Sequence, residues 1–447
     1  MKTAVVVGGG IAGILSAILL KKKFEEVYLI EKGKTLGGLL KSYRNQDGIE
    51  FDYGTHFLRE TGIPQLDAIL FEKINPETWL TLNFLKAGNF FQSQLNEKSP
   101  FINSTFLSEE LYHKGMIQLL NCVEPKTNYE NLEEQLNDIF GTVFTDHIFK
   151  PVLKKFFNNE LHKLAPDANR LLLPAKLIGF TPEASRELKK SSIIDSKLAF
   201  HSYKEGLSGV KNYYPKRGGI IQWVEGLQQK LQEINVKVLT NSSVKSIQYS
   251  NTHLDTIVLD DNTSLKCNQL VWTIPLFLYI KAHGLTFPGS ILPPNRLVTS
   301  LHHFVLDQPF LTDLYYFTCY DPQLITFRVT LYPNVQQTYL DSTQYHLTAE
   351  VLSTQKTDLE KTSIKVFEEL IQMGVIPASS RVLTQHSEII QEGFPVPTIQ
   401  FVNGMKSQLE FVKKHASNTL FLGRSTGASW LMNEVLSETY LTIERQI

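Results

Sequence analysis

The sequence holds only three cysteines in 447 residues, Cys122, Cys267 and Cys319. They are too few and too scattered for a disulfide framework or a metal cluster, and they predict a reducing, cytoplasmic setting. No sign of charge dominates. The 44 Lys and Arg against 45 Asp and Glu leave a formal net charge of -1, which argues against nucleic acid as a partner, and no polybasic block marks an electrostatic membrane anchor. No apolar run reaches the roughly twenty residues that a spanning helix needs, so no transmembrane segment is expected. The apolar stretch after Lys2 is interrupted by glycines and ended by Lys21-Lys22-Lys23; it reads as a first strand and helix rather than a signal peptide. Repeats, low-complexity tracts and Gly/Ser linkers are also missing, which predicts domains packed against one another, and the length suffices for two or three of them.

What the chain does have is a glycine fingerprint at its start. Val5-Val6-Val7 runs into Gly8-Gly9-Gly10-Ile11-Ala12-Gly13, and the next apolar run, Val27 to Ile30, ends in Glu31. This is the order strand, G-x-G-x-x-G turn, helix, strand, acid. Gly8 permits the tight turn, Gly10 lets the backbone approach a pyrophosphate, Gly13 lets helix and strand pack closely, and Glu31 can accept from a ribose hydroxyl. Free N–H groups at the helix start supply charge complementarity to phosphate without a lysine. The pattern predicts a dinucleotide site. A second glycine pair, Gly37-Gly38, follows closely behind the acid.

Further along, the chain reads as a nucleotide domain interrupted twice. Gly48 to Phe57 contains a short strand ending at Gly54. From about Leu66 to Pro215 the apolar spacing is mostly helical, as in Leu132 to Phe140 and Ile148 to Leu153. A helix from Ile220 to Leu231 and strands at 236–239, 244–249, 256–259 and 270–273 then return to the nucleotide domain. Short segments rich in β-branched and aromatic residues follow at 298–306, 314–320, 324–331 and 345–352, then an amphipathic helix from about Asp358 to Met373, together predicting an antiparallel sheet carrying a helix. At the end, Asn418 to Leu422 reads as a strand running into Gly423-Arg424, with a helix closing the chain. The expected fold class is α/β, with the nucleotide domain formed by 1–65, 205–284 and 396–447, a mostly helical insertion at 66–204 and an antiparallel-sheet substrate domain at 285–395.

Candidate chemistry is sparse. His56 follows a glycine at a strand end, where it can contact a cofactor or substrate, or serve only as a hydrogen-bonded structural histidine. Arg328, within Thr326-Phe327-Arg328-Val329-Thr330, can pair with a carboxylate or phosphate if it points inward, and is a solvated strand residue if it points outward. Arg296 has a weaker claim. His302-His303 would place adjacent side chains on opposite faces of a strand with no third ligand at a useful spacing, so no metal is expected. No G-x-S-x-G or Cys-His nucleophile arrangement occurs.

The whole pattern resembles the large flavoprotein group that includes monoamine oxidases, protoporphyrinogen oxidases and UDP-galactopyranose mutases. The resemblance implies a Rossmann-like FAD-binding domain of the GR2 type, with Gly37-Gly38 letting the backbone pass beside the FAD ribityl and pyrophosphate. It also implies cofactor contacts from Ile11, Ala12, Lys32 and Leu39 beside the fingerprint residues Gly8, Gly10, Gly13 and Glu31. Gly54-Thr55-His56 is similar to the Gly-x-His element beside the isoalloxazine ring, so Thr55 and His56 are expected there. Pro215-Lys216-Arg217-Gly218-Gly219 is similar to the group's Pro-x-x-Gly-Gly loop. Val244 falls where the group holds adenine through the backbone, and Thr273-Ile274-Pro275 at the matching strand end. Gly423-Arg424 returns to the cofactor, with Arg424 near the pyrophosphate or, failing that, an ordinary surface cation, and with the last helix aiming its N-terminus at the flavin.

Two departures stand out. Leu39-Leu40-Lys41 replaces the arginine that many amine oxidases carry after the glycine pair, and Met432-Asn433 reverses the order found in the mutases. The expected activity is an FAD-dependent oxidoreductase taking hydride from a C–H or C–N bond of a small substrate at flavin N5, with His56 and Arg328 as catalytic candidates. The alternative is a mutase-like, redox-neutral isomerase acting on a nucleotide sugar.

Overall fold

The computed structural model describes residues 2–122, 125–173, 175–250, 253–290, 296–336, 345–354, 357–390 and 393–447. At its centre is a five-stranded parallel sheet in the order Lys237–Leu239, Glu26–Ile30, Thr3–Val7, Gln269–Trp272, Thr419–Phe421. The first strand is buried along its whole length, and so is nearly all of the helix Ile11–Leu20 that follows it. Such continuous apolar runs are what a parallel strand with both faces covered requires. The closing helix Met432–Gln446 packs on that first helix. A separate antiparallel meander, Val244–Ser250, His253–Leu259 and Ser264–Lys266, covers another part of the sheet.

The second large element is a seven-stranded sheet in the order Val382–Ile390, Val298–Leu306, Tyr345–Ser353, Thr326–Leu331, Tyr316–Cys319, Ala87–Phe91, Gln94–Asn96. Its core is formed with the helix Leu359–Gln372. This sheet differs from the sequence expectation in two respects. Its last two strands come from within the stretch read as helical, and one pair, Ala87–Phe91 with Tyr316–Cys319, is parallel rather than antiparallel. Gly88 and Asn89 lower the strand signal of that segment, yet a side chain at Gly88 would meet Leu314 at 2.5 Å and the Asn96 carbonyl at 2.6 Å. The buried Asn89 amide donates to the carbonyls of Ser99 and Phe101. Tertiary packing therefore sets the strand against local propensity. The helical region itself, including Leu132–Phe140 and Lys150–Phe157, builds a phenylalanine-rich core of its own. Among the described residues no helix is long and apolar enough to cross a membrane.

The adjacent His302 and His303 are both buried and hydrogen-bonded. His302 lies between the hydroxyls of Ser300 and Ser387, and His303 between Thr348 and Glu388. Burial, with His303 adding, pushes His302 down to about 4, and burial pushes His346 down to about 3. An unfolded histidine titrates near 6.5. These two bases therefore contribute stability that is complete above that value and is lost as the pH falls through it toward the folded-state values. Denaturant midpoints measured from pH 7 to pH 4 should fall steeply, and the His302→Gln/His346→Gln double variant should flatten that slope. An equal slope in the variant would contradict the assignment.

Candidate functional site

The glycine turn is built as its spacing predicts. Gly8 adopts φ +106, and a Cβ there would strike the Thr273 hydroxyl at 2.4 Å. Thr273 lies beneath the turn, its hydroxyl donating to the Val7 carbonyl at 2.9 Å, so its observed contact braces the turn. Gly13 comes so close to the strand that a Cβ would sit 1.8 Å from the Gly8 carbonyl oxygen. Gly10, by contrast, has open space where its Cβ would be. The Glu31 carboxylate stands at the mouth of the turn and accepts from the amides of Gly9 and Gly33, both at 2.7 Å. A carboxylate has lone pairs to spare beyond these two bonds. The Asn241 amide bonds the Gly33 carbonyl and the Ser242 amide the Glu31 carbonyl, which brings the chain leading into Val244 to this end of the site.

The second glycine pair packs directly on the first. The Gly37 amide donates to the Gly9 carbonyl at 2.8 Å, and Gly38 lies so near Gly10 that a Cβ would be 3.5 Å from its Cα. Both residues have positive φ, +108 and +63, a conformation that favours glycine. On the far side of the turn Gly423, at φ +76, comes within van der Waals reach of Ala12 at the start of the first helix. Three chain segments thus meet around one helix N-terminus.

Beyond them lies a polar cluster that joins the Gly54-Thr55-His56 turn to the seven-stranded sheet. Gly54, at φ +92, turns the chain so that a Cβ would be 3.1 Å from Glu350 Oε2. The Thr55 amide donates to Glu350 Oε1 at 3.1 Å, and Arg328 holds the same carboxylate in a two-pronged pair at 2.7 and 3.0 Å. Arg328 thus faces inward, and its carboxylate partner is internal. Burial opposes its charge, but Glu350 holds it firmly protonated. The half-buried His56 ring reaches the Tyr53 carbonyl at 3.1 Å. Burial and the Arg328 guanidinium push the imidazole down to about 4, with Arg424 adding and with Glu350 and the Tyr53 carbonyl opposing. His56 is therefore neutral near pH 7. Arg424 lies over the Phe394 ring, 5.2 Å from its centroid, and its charge also disfavours protonation of His56. Phe57 packs against Tyr214, Tyr316 and Tyr315, giving this end an aromatic wall.

A hydrogen-bonded spine backs the His56 segment. The Tyr53 phenol donates to Glu388 at 2.5 Å. Burial works against the Glu388 anion, but the bonds from His303 and Tyr53 outweigh it and hold the carboxyl below its usual range. From His303 the chain continues through Thr348 to the Tyr332 hydroxyl, which accepts from the Asp52 amide at 2.8 Å. The Asp52 carboxylate itself accepts from Ser42, Tyr214 and the Ile220 amide, tying in the loop after Pro215. Burial pushes Asp52 up to about 6 against these three bonds. Glu350, Glu388 and Asp52 were missed as candidates. The signal for the first was present: a lone acid within the apolar strand 345–352, matching the lone Arg328 of its neighbour.

These features define the class. The chain carries a Rossmann-like parallel sheet whose glycine turn is roofed by a second glycine pair and lies beside a seven-stranded sheet. A model of the NAD(P)-binding Rossmann-like domain matches residues 6–71. Among curated proteins the chain is similar to 4,4'-diapolycopen-4-al dehydrogenase of Metabacillus indicus, with 28% identity over 268 residues, 55% of this chain and 50% of that protein. It is also similar to 1-hydroxycarotenoid 3,4-desaturase of Flavobacterium sp. (strain P99-3), with 24% identity over 275 residues, 59% of this chain and 54% of that protein. The match spans about half the length of these relatives. Among solved structures, a reduced UDP-galactopyranose mutase superposes with a TM-score of 0.78 at 15% identity, covering 100% of this chain and 93% of that one. The chain therefore shares the fold of that solved structure.

Proposed function

We propose that the protein is an FAD-dependent oxidoreductase that removes hydride from a C–H or C–N bond of a small substrate. The observation that carries this reading is the Gly37-Gly38 loop, hydrogen-bonded onto the fingerprint turn and presenting no side chain there. A pyrophosphate needs close backbone approach on this side, and the open space at Gly10 provides it. The residues present fit FAD: the turn from Gly8 to Gly13 for the pyrophosphate, Glu31 for the ribose hydroxyls, the chain around Val244 for the adenine, and the Gly54–His56 segment with Gly423 and Arg424 for the ring end. Lys32, Leu39 and Thr273 complete this assignment. When bound, FAD supplies the hydride acceptor at N5.

The residues of the chain do the rest. His56, neutral at pH 7 with its Nε2–H donated to the Tyr53 carbonyl, presents Nδ1 as a hydrogen-bond acceptor toward a substrate without adding charge. The aromatic wall around Phe57 excludes water from that end. Arg328, held by Glu350, contributes a fixed positive field beside the reacting centre. The nucleotide part comprises 1–65, 205–284 and 396–447, and the seven-stranded sheet, built from 285–395 with Ala87–Phe91 and Gln94–Asn96, carries substrate recognition. The two carotenoid-directed relatives make an apolar, conjugated substrate the first class to try.

The testing experiment is the visible spectrum of the purified protein, followed by heat release of the chromophore. The expected result is a bound flavin that a substrate bleaches anaerobically and that heat releases as FAD in near-equimolar amount. A colourless protein that takes up no added FAD would refute the reading. Turnover of a nucleotide sugar without consumption of an electron acceptor would replace it with the mutase alternative.

A further inference from the structure

We propose that Glu350 is the positioning residue of the site, fixing the Gly54-Thr55-His56 turn against the cofactor and thereby orienting His56; this rests on the flavin reading above. Glu350 sits in the strand Tyr345–Ser353, directly opposite Arg328 in the register of the neighbouring strand. It is 4% exposed. A pair of opposite charges across two strands could serve the sheet alone. Three observations go further. The carboxylate also takes the Thr55 amide, which lies on a different element, immediately before His56. The Thr55 hydroxyl is tied to Thr330, on the same strand as Arg328, at 2.5 Å. Gly54 leaves room for the acid where any side chain would crowd Glu350 Oε2 at 3.1 Å. Acid, glycine and turn are matched to one another, and each matched contact converges on the residue before the histidine.

The charges facing His56 come from three elements: Arg328 and Arg424, which disfavour its protonation, and Glu350, which favours it. Replacing the acid and replacing the arginine therefore have different consequences. In Glu350→Leu the acceptor for the Thr55 amide is lost together with the two-pronged pair, whereas in Arg328→Met the bond between Glu350 and Thr55 remains.

The test is histidine NMR on the full chain with and without FAD, with the His56 signal identified by its loss in His56→Gln. In the natural protein, adding FAD should shift the His56 signal and leave those of His302 and His346 in place. Glu350→Leu should keep the His302 and His346 signals and split or broaden the His56 signal while losing most of its response to FAD. Glu350→Gln, whose side-chain carbonyl still accepts from the Thr55 amide, should restore a single His56 signal. Arg328→Met should retain a single His56 signal with a raised titration midpoint, and Glu350→Leu should show no such rise. A His56 signal unaltered in Glu350→Leu, with the other histidines intact, would overturn the proposal and leave the pair as a strand-to-strand contact. If the natural protein takes up no FAD, the flavin reading fails by itself, and the single or split His56 signal of the cofactor-free variants still decides the role of Glu350.

Discussion

Gly13→Ala is expected to yield protein without bound FAD and with a clearly lowered melting temperature. The Cβ it introduces would lie 1.8 Å from the Gly8 carbonyl oxygen and 3.0 Å from the carbon behind it. Neither atom is the end of a flexible side chain, so the clash is relieved only by lifting the first helix from the first strand or by opening the turn. Overpacking of this kind costs about 1–3 kcal/mol or more, which is a sizeable share of a typical folding free energy of about 5–15 kcal/mol. Either relief also moves the helix N-terminus away from the phosphate position. The partner experiment is Gly10→Ala. Gly10 has φ -73 and no atom within 4 Å of its would-be Cβ, so the apo fold should tolerate the methyl group. FAD affinity should drop nonetheless, because the methyl stands where the proposed site brings the pyrophosphate. Thermal melts and bound-flavin absorbance on both variants separate packing from ligand approach. A Gly13→Ala protein that melts normally and holds full FAD would refute the argument.

The fingerprint was legible because each of its residues answers a local demand. Gly8, Gly10, Gly13 and Glu31 are set by a turn, a close approach, a packing distance and an acid at a strand end, all within one short unit of the chain. The strands Val298–Leu306, Thr326–Leu331 and Tyr345–Ser353 were legible for a similar reason, since β-branched and aromatic residues in short runs suit a pleated, buried surface. Ala87–Phe91 was not, because its Gly88 and Asn89 make sense only with Leu314 and Ser99 beside them, far away in sequence. The same holds for the site. His56 and Arg328 were named individually, but their meeting depends on Glu350, which joins segments 295 residues apart. Pairing across such distances is a property of the assembled sheet.

Lys155→Met is the second substitution expected to have a large effect, and it acts on the site from a distance. Lys155 projects from the helix Lys150–Phe157, and its ammonium donates to the carbonyls of Cys319, Asp321 and Thr326 at 2.8, 2.9 and 2.8 Å. Three backbone acceptors on one turn thus converge on a single cation. On the other side of that turn the fully buried Glu369 accepts from the amides of Ile325 and Thr326 and from the Thr326 hydroxyl. Burial depresses the lysine pKa, while Cys319 and Glu369 act to keep it charged. Methionine fills a similar volume but donates nothing, so three carbonyls lose their donor and Glu369 loses a neighbouring cation. Hydrogen bonds to a charged group contribute about 1.5–3 kcal/mol each, not additively, and breaking a buried ionic arrangement costs about 3–5 kcal/mol; a loss of about 3 kcal/mol is expected. Urea unfolding should show it as a lowered midpoint with an unchanged slope. The turn opens directly into the strand Thr326–Leu331, so Arg328 is two residues from the loosened anchor. FAD affinity should therefore weaken in Lys155→Met while remaining unchanged in a surface control such as Lys114→Met, whose partner Glu110 lies on the same exposed helix. A loss of less than about 1 kcal/mol, the scale of an exposed ion pair, would show that the turn holds Arg328 in place without the lysine.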